Sequence, residues 1–474
     1  MTADTFQQLS QIFNAESVAL VGASDRQGSF GRLFLEGLVH MGCRKIYPVN
    51  PRCDEMLGIH AFPSVSAVPD EVDVAILLTP PEAVLGLMKE CVQKKVKGVV
   101  VFASGFGELG IEGKNAEREI ARVAREGGVR VIGPNCVGFF NPNAGVITFP
   151  QALMKGVPKE SGSVGGFSQS GSFIDYLVWF LATKGLRFST VVSCGNECDL
   201  GAEDYLEYLG KDPNTKTIVA YMEGVKDGRR FFSVAREVTR KKPIILWKGG
   251  SSEQGAKAAA SHTGALAGSA DVWNAMFRQT GIVNVASIEE VVDCALAFHY
   301  LPLPKGRRIA VISGMGGTGV GTADNCMAFG LELPGLSENT NSRLRAVLPG
   351  VGTSVGNPVD TGVASLLNPS LYGAAIEIVA EDEGIDMILV VSAPIGDCLE
   401  SVAAAAKNIR KPLALSVFAL PESAPEVYEF LTVSGVPAYP DPKRAAYALS
   451  RMAEYAGSLA DRHGVSPKPT ALTP

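Results

Sequence analysis

The stretch Ser17-Val18-Ala19-Leu20-Val21-Gly22-Ala23-Ser24-Asp25-Arg26-Gln27-Gly28-Ser29-Phe30-Gly31 decides the fold. An apolar run suited to a buried strand enters a glycine- and serine-rich turn, and a helical pattern over 32–40 follows at once. Strand, turn and helix in that order point backbone N–H groups and a helix N-terminus at one place, where a phosphate is held. The glycines fall as G-x5-G-x2-G rather than G-x-G-x-x-G. The next strand, Lys45-Ile46-Tyr47-Pro48-Val49, ends in Asn50-Pro51-Arg52, where an NAD site would want an acid for the ribose hydroxyls. A cation there suits a phosphorylated ribose.

Further strands over 72–78 and 98–102 end in Thr79-Pro80-Pro81 and Ala103-Ser104-Gly105, and Val131-Ile132-Gly133-Pro134-Asn135-Cys136 closes the unit. Ligands of open α/β sheets collect at the carboxyl ends of strands, so these ends are expected to line one crevice. Cys136 is read either as a thiol near a ligand or as small core filler. The motif then recurs. A strand over 163–168 runs into Gln169-Ser170-Gly171-Ser172 and an apolar helix. A strand over 308–312 runs into Ser313-Gly314-Met315-Gly316-Gly317-Thr318-Gly319 and a helix through Ala328. The Ser170 turn is an anion site in outline, and the absence of a lysine from it sets it apart from a nucleotide P-loop and favours inorganic phosphate. For the Ser170 turn a plain capped turn is the alternative.

The expected fold is therefore α/β with three doubly wound domains, over 1–147, 148–301 and 302–460, and a mobile tail over 461–474. The chain has 474 residues, 46% hydrophobic and 19% charged, and a net charge of -6, which fits an ordinary globular protein and shows no basic stripe for nucleic acid. Nine scattered cysteines and an N-terminus without a signal pattern imply a reducing cytoplasm. Cys194 and Cys198 lack the further ligands a zinc site needs, and no apolar run is long enough to span a bilayer.

One imidazole stands in a run of small residues, Ala259-Ala260-Ser261-His262-Thr263-Gly264-Ala265-Leu266-Ala267-Gly268. It is either a catalytic group on a weakly held loop or a solvent-facing histidine at a helix start. Glu223 follows the strand Thr217-Ile218-Val219-Ala220-Tyr221-Met222. Its carboxylate at a strand's carboxyl end can orient an imidazole and leave the other nitrogen free to attack, or it is a solvated acid.

Taken together, Val21-Gly22-Ala23-Ser24, Tyr47-Pro48-Val49-Asn50-Pro51, Gly133-Pro134-Asn135-Cys136, Tyr221-Met222-Glu223-Gly224-Val225 and Ser261-His262-Thr263-Gly264-Ala265 resemble the NDP-forming acyl-CoA synthetases, the family that includes succinyl-CoA synthetase. The likeness covers about residues 10–457 and is most specific around His262, where it looks like the alpha subunit of the ADP-forming acetyl-CoA synthetases. It implies a Rossmann-like CoA-binding domain followed by two flavodoxin-like ligase domains. By it, CoA meets Gly22, Ser24, Asp25, Arg26, Gln27, Asn50, Pro51, Arg52, Thr79, Pro80, Phe102, Ala103, Ser104 and Asn135. Ser170, Gly171 and Ser172 converge with Gly316, Gly317 and Thr318 on a phosphate, His262 becomes the phosphohistidine, and Glu223 steadies it. Gly356-Asn357-Pro358-Val359-Asp360 also fits the family's third domain. Gly314-Met315 departs from it, because the family has Asn-Ala before the two glycines.

The resemblance further implies a reversible reaction in which acyl-CoA, ADP and phosphate give carboxylic acid, ATP and CoA. No Walker loop or stretch resembling the ATP-grasp fold is seen, so ADP or ATP and Mg2+ are expected on a separate ATP-grasp beta subunit, in a hetero-oligomer such as α2β2. The spacing leaves the acid open among acetate, branched-chain, aryl and dicarboxylic substrates. Two rival readings are a CoA-binding regulatory or scaffold protein without catalysis, and an NAD(P)-dependent oxidoreductase that would explain the first domain alone.

Overall fold

The computed structural model describes residues 3–150, 156–252, 254–255, 269–393, 395–418 and 424–462. The chain divides into two compact units, Met1–Ile288 and Glu289–Pro474.

In the first unit, β1 (Ser17–Val21), β2 (Lys45–Val49), the hairpin β3 (Glu55–Met56) and β4 (Ile59–His60), β5 (Val74–Leu77), β6 (Gly98–Val101) and β7 (Arg130–Ile132) come first. They build a parallel sheet in the order β2-β1-β5-β6-β7, with the hairpin apart. Every residue of β1, β5 and β6 is buried. That is why these strands read as unbroken apolar runs, since helices cover both faces of a parallel sheet. After them come β8 (Phe139–Asn141), β9 (Val146–Ile147), β10 (Ser161–Ser168), β11 (Phe188–Ser193), β12 (Thr217–Met222), β13 (Ile244–Lys248) and β14 (Val283–Val285). Their sheet runs β14-β13-β12-β10-β11-β8-β9, parallel except for β8 and β9.

The second unit holds β15 (Ile309–Ser313), β16 (Val359–Asp360), β17 (Met387–Ser392), β18 (Leu413–Val417) and β19 (Ala438–Tyr439), parallel in the order β16-β15-β17-β18-β19. Counted along the chain, the parallel strands of each sheet lie in the same spatial order, 2-1-3-4-5. In that order the winding reverses between the first and third strands, and the crevice opens at their carboxyl ends. The three crevices therefore open past β1 and β5, past β10 and β12, and past β15 and β17. The expected α/β class with three doubly wound sheets is what the chain forms.

Residues 139–147, read from sequence with the first domain, pair instead with the second sheet, β8 running antiparallel to β11. Two runs this short carry no period from which a partner could be inferred. Aromatic packing places them, with Phe140 5.6 Å from Phe188 and Phe139 5.4 Å from Phe13. Phe13 ends the helix Ala3–Phe13, and its ring also lies 4.9 Å from that of Tyr208. One apolar cluster thus runs from Val18 and Leu20 through Ile12 and Phe13 to Phe167 and Tyr205, so the first two sheets share a core. The side chain of Asp199, fully covered, accepts from Arg125 Nε at 2.6 Å, Arg130 Nε at 2.8 Å and the Val131 N–H at 3.0 Å. A carboxylate taken out of water stays charged only with such partners.

The last helix, Pro442–Arg462, extends two residues into the stretch expected as a tail, and 463–474 lie outside the described residues. Among the described residues no helix is long and apolar enough to cross a membrane.

Candidate functional site

The turn past β1 is built backbone against backbone. Gly22 has φ +88, and a Cβ on it would stand 2.9 Å from the Leu78 carbonyl oxygen. A Cβ on Gly31 would stand 2.4 Å from the Gly22 oxygen. Ser24 Oγ accepts from the Arg26 N–H at 3.1 Å, and Arg32 Nη1 donates to the Asp25 carbonyl at 2.8 Å. These bonds hold the loop while the side chains of Asp25, Arg26 and Gln27 stay exposed. Ser29 caps the helix Phe30–Met41 by accepting from the Arg32 N–H.

Asn50 Nδ2 donates to the Ala23 carbonyl at 2.9 Å, and its Oδ1 accepts from the Arg52 N–H at 3.0 Å. Asn50 therefore ties the turns of β1 and β2 together, and Arg52 beside Pro51 is exposed. Thr79 Oγ1, at the end of β5 before Pro80, is buried and has no partner among the described residues. Phe102, past β6, lies 4.8 Å from Phe30 and 5.4 Å from Phe34. Ala103 accepts from the Asn135 N–H at 2.8 Å, and Ser104 is exposed. The residues expected to meet CoA thus all stand at one edge of the first sheet. Cys136 is core filler: its Sγ donates to the Val101 carbonyl at 3.4 Å, and burial pushes its thiol up to about 12.

The second crevice brings the Ser170 turn and Glu223 together. Ser168 Oγ accepts from the Ser170 N–H at 3.0 Å and donates to the Ser170 carbonyl at 2.8 Å. Ser170 Oγ in turn caps the helix Gly171–Thr183 through the Phe173 N–H. Gly171 and Ser172 form its first turn, where N–H groups lack helical acceptors.

Across the reversal point Glu223 is 6% exposed. Its Oε1 accepts from the Tyr221 hydroxyl at 3.4 Å, and its Oε2 is buried with no partner among the described residues. Beside it Lys248 ends β13 in register with Met222. Lys248 is buried, its Nζ donates to the Gly249 carbonyl, and the ammonium lies 5.2 Å from the centroid of Trp273. Burial lowers its pKa while the charge of Glu223 works the other way. A cavity of about 230 Å³ adjoins Lys248, lined in part by Trp247, Ser251, Trp273 and Asn284. His262 lies outside the described residues, as does all of 256–268.

The third crevice repeats the hydroxyl device. Ser313 Oγ accepts from the Met315 N–H at 3.1 Å and donates to its carbonyl at 2.9 Å. Thr318 Oγ1 donates to the same carbonyl at 2.7 Å, and Gly316 and Gly317 open the helix Gly316–Ala328 without a side-chain cap. The absence of a side chain at Gly314 has a steric reason. A Cβ there would lie 2.2 Å from the hydroxyl of Tyr372, which is buried and fills that space.

Four polar side chains of the second crevice escaped the sequence reading: Gln169, Asn196, Glu197 and Lys248. The partners of Gln169, Asn196 and Glu197 come from loops far apart in the chain, and only the abrupt polar end Gly195-Asn196-Glu197 after an apolar strand hints at them.

Family models match in succession: a CoA binding domain over 16–142, a succinyl-CoA ligase like flavodoxin domain over 161–298 and a ligase-CoA domain over 309–456. The acetate–CoA ligase [ADP-forming] II subunit alpha of Pyrococcus furiosus is 39% identical over 462 residues, covering 95% of this chain and 99% of its own length. The acetate–CoA ligase [ADP-forming] I of Archaeoglobus fulgidus is 38% identical over 94% of this chain, which spans only 64% of the Archaeoglobus protein. Among solved structures, acetyl-coenzyme A synthetase 1 of Ca. Korarchaeum cryptofilum, in complex with phosphate and ADP, superposes with a TM-score of 0.88 at 34% identity, covering 97% of this chain and 99% of that one. With likeness of this degree over nearly its whole length, the chain belongs to the family of ADP-forming acetate–CoA ligases and corresponds to their alpha subunits.

Proposed function

We propose that the chain is the thioester-handling subunit of a reversible NDP-forming acyl-CoA synthetase. Acyl-CoA and phosphate exchange to acyl phosphate and CoA. The His262 imidazole then attacks the phosphorus, releasing the carboxylate, and the phosphoryl group passes to ADP as ATP. The nucleotide and its Mg2+ belong in this reading to a separate ATP-grasp chain, in an assembly such as α2β2.

The first crevice fits CoA. Two glycines let the backbone come within reach of a pyrophosphate, Arg26 and Arg52 offer exposed cations, and Thr79 Oγ1 is a buried hydroxyl without a partner among the described residues. Phe102, Ala103 and Ser104 are assigned to the pantetheine side, and Asn135 to the CoA site beside them. In the second crevice the amides of Gly171 and Ser172 face developing negative charge with the positive end of their helix behind them. In the second unit the helix start at Gly316, Gly317 and Thr318 offers the same kind of group.

The observation that carries the reading is Glu223: a buried carboxylate beside that helix start, one oxygen unpartnered among the described residues, placed to accept an imidazole N–H. A carboxylate so bonded leaves the opposite ring nitrogen as the nucleophile. A scaffold that had lost the chemistry would have no use for such a group. All nine cysteines are free, which fits the reducing cytoplasm assigned to the protein.

The test is incubation of the purified chain with acetyl phosphate labelled on phosphorus. Acid-labile label on wild type and none on His262→Ala is the expected result; label undiminished by that substitution removes the histidine from the mechanism.

A further inference from the structure

Gln169 has every polar atom of its side chain engaged. Oε1 accepts from the Glu223 N–H at 2.6 Å and the Gly224 N–H at 3.1 Å, while Nε2 donates to the Gly224 carbonyl at 2.9 Å and to Glu197 Oε1 at 3.0 Å. Those backbone partners fix which end of the amide is oxygen, because only Oε1 can meet two N–H groups. The side chain is thus a clamp on the two residues that follow β12, and the direction of the Glu223 side chain follows from it.

The clamp has a seat of its own. Glu197, 4% exposed with φ +54, takes the Gln169 amide, and the carbonyls of Asn196 and Glu197 each accept from Lys226 Nζ at 2.7 Å. Asn196 Nδ2 donates to Glu108 Oε2 at 2.5 Å and to Glu117 Oε1 at 2.7 Å, and its Oδ1 accepts from Asn135 Nδ2 at 3.3 Å. The backbone joins as well: the Asn196 N–H donates to the Pro134 carbonyl at 2.8 Å and that of Cys198 to Gly133 at 3.0 Å. Gly195 allows this approach, since a Cβ there would stand 2.1 Å from the Pro134 oxygen. Hydrogen bonds therefore run without a break from the loop past β7 to Glu223.

Two details set this network apart from ordinary loop packing. Of the four non-glycine residues with positive φ in the described chain, two, Asn135 and Glu197, belong to it. Such conformations persist where surrounding contacts over-determine them, and they gather at working sites. The network also satisfies the backbone around Glu223 yet leaves Glu223 Oε2 without a partner among the described residues, whereas a cluster built only for stability would close it.

We propose that Gln169, seated on Glu197 and Asn196, is a positioning residue that aims the Glu223 carboxylate and keeps it in register with the loops past β6 and β7. The thioester side and the imidazole side of the reaction then hold a fixed spacing, as a group transferred between two crevices requires. This rests on the phosphoryl-transfer reading above.

The test uses the full chain and three variants: Gln169→Leu, Gln169→Glu and the pair Gln169→Glu with Glu197→Gln. Gln169→Glu keeps size and the Oε1 acceptor but sets a second carboxylate against Glu197. The charged groups facing Glu197 are Lys226, Glu203 and Asp204, which all three variants keep. Labelling of the histidine by acetyl phosphate falls about tenfold or more in Gln169→Glu near pH ~8, recovers as the two carboxylates come to share a proton at lower pH, and returns in part in the paired variant, which restores the bond to residue 197 but not the one to the Gly224 carbonyl. CoA affinity stays within about threefold of wild type throughout, since no phosphate or ribose contact is touched.

Labelling of Gln169→Glu equal to wild type at every pH, or a loss not relieved by Glu197→Gln, overturns the proposal. A read-out free of the reaction is hydrogen exchange at the Glu223 and Gly224 amides, which speeds up in Gln169→Leu and, near pH ~8, in Gln169→Glu. Unchanged exchange in Gln169→Leu also overturns it. A wild type that takes no label but shows this exchange pattern sinks the phosphoryl-transfer reading and leaves the clamp standing.

Discussion

Glu223 has one carboxylate oxygen bonded to Tyr221 and one buried oxygen unpartnered among the described residues, and that asymmetry is what an orienting acid needs. Replacing it with Gln keeps the shape but presents an N–H where an acceptor is required. Histidine labelling by acetyl phosphate is expected to fall about a hundredfold in Glu223→Gln with CoA affinity intact. An equal loss of both in titration calorimetry and labelling would mean a damaged fold. Glu197 makes a separate prediction. Burial pushes its carboxyl up to about 7, so the folded chain prefers it protonated more than the unfolded chain does. Its contribution to stability is therefore full below the ordinary carboxylate range and is lost as pH rises through about 7. The denaturation midpoint of wild type should decline across that interval, and Glu197→Gln should remove that part of the decline, as urea titrations at a series of pH values would show. Of the residues discussed at this scale, Glu223 was legible because it stands alone at the end of an apolar strand. Gln169 was not, because what distinguishes it is a set of partners 28 to 55 positions away.

Turns past the strands were the most legible elements, since a glycine or serine after an apolar run has a local cause. Gly31 gives the sharpest check. A methyl group there meets the Gly22 oxygen at 2.4 Å, and that oxygen belongs to backbone, which cannot swing aside. Gly31→Ala is expected to displace the turn at a cost of about 1–3 kcal/mol and to weaken CoA binding by about tenfold or more, measured by calorimetry. Gly28→Ala is the control, because nothing lies within 4 Å of its Cβ position, although its φ of +76 carries a smaller backbone cost of its own. A loss no larger in Gly31→Ala than in Gly28→Ala would remove the close approach from the account of the site. Elements set by distant packing were not legible. The runs that form β8 and β9 could equally have closed the first sheet, and aromatic contacts of Phe139 and Phe140 with residues of other elements decide where they lie. Gly314 belongs here too: the sequence shows that a side chain is absent, and only the fold shows Tyr372 in its place.

On the scale of the whole molecule, three sheets share the strand order 2-1-3-4-5, and the chain offers three crevices with a hydroxyl- or glycine-built helix start in each. The recurrence was visible in sequence as three strand–turn–helix openings, but the shared core of the first two sheets was not, because it depends on Phe13 reaching between them. None of the described turns carries the lysine of a nucleotide P-loop. The chain spans 99% of the Pyrococcus alpha subunit but 64% of the Archaeoglobus ligase, so the latter contains sequence with no counterpart in the matched region. If that missing part is where ADP is held, the two donors of a phosphoryl group should behave differently. Acetyl phosphate needs only the crevices of this chain and should label His262 in its absence of any partner. ATP labelled at the γ-phosphate should label the same residue only when the proposed ATP-grasp chain is added, and unlabelled ADP should then carry the label off as ATP. Labelling of the isolated chain by ATP would place a nucleotide site within these 474 residues and contradict the division of labour between two subunits.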